Sequence, residues 1–114
     1  VAAPSAEGAT RAVQWNNDLV VETPPGTVVL ARTPRDEVQA ARFAPTVWGV
    51  QWHPEAGEDV VRVWADKDRD HAAERGVDLE GYVDAVGAAR EEMRATWAPL
   101  AGLLLRRAGD RAAR

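Results

Sequence analysis

Apolar positions in the first half of the chain fall in short runs broken by turn residues, whereas in the second half they recur three and four residues apart. Thr27-Val28-Val29-Leu30-Ala31-Arg32 has the β-branched character of a buried strand. It follows a stop at Pro24-Pro25-Gly26, and Thr33-Pro34-Arg35-Asp36 turns the chain after it. Val38 to Phe43 and Thr46 to Trp52 read as two further strands with only Ala44-Pro45 between them. The simplest arrangement is an antiparallel meander whose last strand delivers His53. Before the meander, Val1 to Thr10 is small and polar with no period and reads as a frayed start. Asn16-Asn17-Asp18 is loop chemistry, because these side chains hydrogen-bond nearby backbone.

Beyond Glu55 the period changes. Val60, Val61 and Trp64 follow Gly57-Glu58-Asp59, whose carboxylates suit the positive end of a helix dipole, so a short amphipathic helix is predicted. Asp66 to Arg75 is charged or small, and Gly76 is placed to end that helix or a further turn of it. Asp78 then caps one long helix in which Leu79, Val83, Val86, Met93, Trp97, Leu100 and Leu104 trace one face. Pro99 is expected to kink it, and Arg106 to Arg114 to fray as a solvated tail. The expected class is α/β: residues 1–56 β-rich, residues 57–114 a helical extension of the same domain.

At 114 residues the chain is about one small domain, short for a complete doubly wound enzyme. Apolar residues make up 46% and charged residues 28%, so there is no case for wholesale disorder. A net charge of −4 removes the electrostatic footprint for nucleic acid or an anionic membrane, and neither is expected as a partner. No apolar run approaches the roughly 20 residues that span a bilayer, and no secretory signal is evident, so a cytoplasmic location is the default expectation. Without cysteine there are no disulfides or thiolate metal sites. His53 and His71 have no zinc-like spacing, so neither metal nor cofactor is expected, and His71 reads as a solvated surface residue. Thirteen arginines against the single Lys67 suggest a GC-rich bacterial genome.

The candidate chemistry lies in Val47-Trp48-Gly49-Val50-Gln51-Trp52-His53-Pro54-Glu55. In extended backbone, residues two apart point to the same side, so Glu55 can orient the His53 imidazole while its other nitrogen takes a proton from a nucleophile. The bland alternative has His53 ending a buried strand and Glu55 starting the next helix. The nucleophile is missing: there is no cysteine, and Ser5 in Ala-Pro-Ser-Ala-Glu-Gly lacks the Gly-x-nucleophile-x-Gly pattern of an exposed elbow.

Trp15 to Glu55 resembles the C-terminal part of class I, triad-type glutamine amidotransferase domains. Their Gly-Val-Gln-Phe-His-Pro-Glu signature stands here as Gly49 to Glu55, with Trp52 for the phenylalanine. Pro25-Gly26, Leu30-Ala31 and Val38-Gln39-Ala40 look like the family's turn, its next strand and the pairing strand. Trp64-Ala65-Asp66, Arg69 and Arg75-Gly76-Val77-Asp78 are similar to the helical extension of stand-alone bacterial members. The resemblance implies a partial flavodoxin-like domain and a parent in which a cysteine thiolate attacks the side-chain amide of glutamine, releases ammonia and leaves a thioester for water to cleave to glutamate. His53 would be general base and acid, and Glu55 the orienting carboxylate. The cysteine elbow and oxyanion donors belong to an N-terminal half that this sequence does not contain. At Trp15-Asn16-Asn17-Asp18, where relatives show Trp-His-x-Asp, Asn16 replaces the histidine and receives no catalytic role, leaving Asp18 as a loop-fixing residue.

Three readings follow. The chain is a C-terminal fragment of such an enzyme, inactive alone; or a separate polypeptide, the missing half or a synthetase, docks on the Trp-rich strand face; or the chain is a non-catalytic module that binds through its long C-terminal helix. The same signature serves stand-alone amidotransferases, nucleotide-biosynthetic subunits and γ-glutamyl hydrolases, so the ammonia acceptor stays open. No Gly-rich phosphate loop accompanies it.

Overall fold

The turn at Pro24-Pro25-Gly26 closes with Thr27 N donating to Pro24 O at 3.2 Å while Gly26 takes φ +83°, a conformation that costs glycine nothing. It feeds β1 (Val28–Arg32), β2 (Val38–Ala44) and β3 (Val47–Val50), which form an antiparallel sheet in that order, as the meander predicts. The computed structural model describes residues 11–114, so the expectations for Val1 to Thr10, Ser5 included, lie outside the described residues. Thr33 fastens the first connection: its hydroxyl accepts from Arg35 N and Glu37 N and donates to Glu37 Oε2. Asp36 adopts φ 68°, which acidic and amide side chains tolerate best among non-glycine residues.

Val28 lies opposite Arg42 and Val29 opposite Ala41, after which the register shifts twice, so that Ala31 faces Ala40 and Arg32 faces Val38. Such shifts bend a strand and strengthen its twist. Across the other ladder Ala40 faces Val50, Ala41 faces Gly49 and Arg42 faces Trp48. The central strand is buried from Val38 to Ala41, while the outer strands expose Val28, Leu30, Val47 and Trp48. Gly49 is required by a close approach: a Cβ there would stand 2.9 Å from the Phe43 ring.

Of the described residues, 11–53 and 54–114 form two compact units. The second holds α1 (Glu58–Glu74), α2 (Leu79–Ala88) and α3 (Arg90–Ala112). Helix α1 is longer than a short amphipathic element and runs through the charged stretch. Val61, Ala65 and Ala72 supply its buried side, and the charges occupy its solvated side. Glu58–Arg62 and Asp66–Arg69 pair there at 2.9 and 2.7 Å. The Glu58 hydrogen bond, with Coulombic help from Glu80 and Asp84, raises the Arg62 pKa. Its contribution is therefore present below the ordinary arginine range and lost only when pH climbs through the raised value. Gly76 ends the helix as expected: at φ +66° it donates to Ala73 O while Val77 N donates to Ala72 O, the paired bonds of a left-handed C-terminal cap.

Asp78 caps α2, its Oδ1 accepting from Gly81 N at 2.9 Å. The single long helix expected beyond it is corrected to two, parted at Ala89, with φ −90° and ψ 3°. Alanine is the strongest helix former, so propensity does not place this break. It coincides instead with burial of Val83, Val86, Ala89 and Met93, where packing overrides local preference. Pro99 lies inside α3 without ending it. The expected frayed tail is also corrected, since the helix continues through Arg106 to Ala112 with those side chains exposed. Helices α1 and α2 pack along each other, and α3 meets α2 only briefly. Among the described residues, no helix is long and apolar enough to cross a membrane.

Candidate functional site

Strand β3 stops at Val50, and the residues after it are held by three segments from elsewhere in the first unit. Gln51 N donates to Gln39 O at 2.8 Å, and the Gln51 side-chain Oε1 accepts from Val20 N at 3.0 Å. Two residues on, His53 N donates to Val13 O at 2.9 Å, making an antiparallel bridge between those two residues. The half-buried His53 ring then sets Nε2 3.4 Å from Trp15 O. A carbonyl oxygen only accepts, so in this contact, long for a hydrogen bond, the ring nitrogen is the donor.

A chain of side-chain amides backs the bridge. Asn16 Nδ2 donates to Gln14 Oε1 at 3.2 Å, and Gln14 Nε2 donates to Gln39 Oε1 at 2.7 Å. Gln39 is the buried polar residue of the central strand. The structure thus brings the Trp15–Asp18 loop and the Gly49–His53 run together. Asn16 joins the amide chain through Gln14, and Asp18 is exposed.

Glu55 is exposed, in the Pro54-Glu55 turn that opens the second unit. The expectation of extended backbone from His53 to Glu55 is corrected. The strand ends three residues before His53, and proline with a turn follows, so the two-residue alternation of a strand does not govern these side chains. His71 is exposed on α1, as its charged surroundings suggest.

Gln51 stands in the Gly49-to-Glu55 signature and Gln39 in the pairing strand, but the motif gives no sign of the hydrogen bonds that their side chains make. A lone glutamine inside Val38-Gln39-Ala40-Ala41 was the available signal, because a buried polar group needs a partner. Gln51→Ala is expected to cost about 1–2 kcal/mol by leaving the Val20 amide without its acceptor. Urea denaturation measures the loss, and hydrogen exchange should quicken at Val20 while β2 stays protected. No family model matches the chain, and no curated protein and no solved structure resembles it closely enough to show a relationship.

Proposed function

We propose that the chain is the C-terminal portion of a class I glutamine amidotransferase domain, flavodoxin-like when complete, in which His53 moves the proton and Glu55 orients the imidazole. The observation that carries this reading is the seating of His53. The Gly49-to-Glu55 run leaves the sheet edge, and its histidine is fixed through Val13 O and Trp15 O beside the loop the family places at its site. An imidazole so held suits deprotonation of a thiol and protonation of departing ammonia. Glutamine is the substrate on this reading, glutamate and ammonia are the products, and the reaction is cytoplasmic. The sulfur comes from another stretch of polypeptide, since the sequence has no cysteine.

The test is direct. Purified chain incubated with glutamine should release no glutamate, and the reading frame upstream of the Val1 codon, or a polypeptide that co-purifies, should carry Gly-x-Cys-x-Gly. Glutamate release by the cysteine-free chain overturns the proposal, as does a native assembly with no such cysteine. The interaction-module reading draws on a separate observation, the exposure of α3.

A further inference from the structure

Met93 is the buried residue of α3, near its start. From Arg94 to Ala112 the helix runs on for about 28 Å. Along it Leu103, Leu104 and Leu105 are 46%, 51% and 74% exposed. Helix α3 meets α2 only briefly, and three consecutive exposed leucines mark a surface that is covered in the working protein. The distribution of charge identifies the cover. Residues 54–92 hold twelve carboxylates against five cations, whereas residues 93–114 hold five arginines against Asp110 alone. On the acidic side Arg62 is hydrogen-bonded by Glu58 and lies in the field of Glu80 and Asp84, three carboxylates to one guanidinium. The α1–α2 pair also exposes Val63, and Val77 in its connection, as apolar ground for leucine. The chain therefore carries both halves of a complementary contact.

We propose that two copies of this chain pair reciprocally, the leucine- and arginine-bearing end of α3 from each copy lying across the acidic α1–α2 face of the other. A closed twofold contact of this kind uses the same surfaces twice. Side-by-side parallel pairing of α3 would instead stack Arg106, Arg107 and Arg111 on their own copies. The reciprocal contact stands independently of the glutamine reading.

Sedimentation equilibrium of the full chain at micromolar concentration should give the dimer mass in low salt and move toward the monomer in molar salt. R107E/R111E and E80R/D84R, all at exposed positions, should each raise the dissociation constant at least tenfold. Their equimolar mixture should restore a dimer, with far-UV ellipticity reporting that each variant is folded. Leu104→Gln should weaken pairing without changing its salt dependence. A monomer across the concentration range overturns the proposal, as does a wild-type dimer mass that ignores salt or survives R107E/R111E. A monomer that binds phosphatidylglycerol vesicles through the same arginines also overturns it, in favour of a lipid surface. Should a variant fail to fold, the salt dependence of the wild-type mass decides.

Discussion

Val86→Asp is expected to unfold the helical unit at room temperature. Val86 is 0% exposed on the side of α2 where Val83 and the α1 residues Val61 and Ala65 are also buried. Removing the buried isopropyl group forfeits about 1.5–3 kcal/mol, and an unpaired carboxylate among these side chains adds several kcal/mol more. A unit of about 60 residues commands on the order of 3–9 kcal/mol, so the substitution exceeds or matches the whole margin. Far-UV ellipticity at neutral pH should fall to a coil-like level. Val86→Thr, which keeps the branched shape and exchanges one methyl for a hydroxyl, should cost only about 1–3 kcal/mol and leave the helices in place. A cooperative melt for Val86→Asp within a few degrees of wild type would contradict this packing.

In the cysteine-complete assembly, His53→Ala is expected to lower kcat for glutamine hydrolysis by about 10²–10⁴-fold with little change in KM. The imidazole is asked for proton transfer rather than for substrate affinity, so the loss belongs to the turnover step. Glu55→Gln should cost less, because it removes an orienting charge and leaves the proton carrier in place. Single-turnover assays that follow thioester formation locate the defect. Turnover within threefold of wild type for His53→Ala would remove His53 from the chemistry and with it the amidotransferase reading.

The sheet was legible because its boundaries are written in residues with few conformational options. Pro25-Gly26, the Thr33-to-Asp36 turn and Pro45 each stand where the chain reverses, and strand ends fall within a few residues of them. Gly76 and Asp78 were legible for the same reason, as a left-handed stop and a side-chain cap. The break at Ala89 was not, because alanine carries no punctuation and the interruption coincides with burial of Val86 and Met93. Nor was the helix beyond Arg106, where arginine and alanine favour helix on propensity while charge density suggests a loose tail. For the site, His53 and the Trp15 loop could be marked by motif. Their juncture could not, since it rests on backbone bonds and on the partners of Gln51 and Gln39, which a linear motif does not name.

The bridge from His53 to Val13 joins residues forty positions apart, whereas the meander is stitched between neighbours in sequence. Closing a span of that length costs entropy before any contact returns it, so hairpins come first and the histidine reaches its seat last. An isolated bridge, unlike a ladder, can open without opening the sheet. Brief detachment of the Val13–Trp15 segment would unseat the imidazole while β1, β2 and β3 persist, and on the proposed amidotransferase reading the assembly's turnover would fail at temperatures where the sheet is still intact.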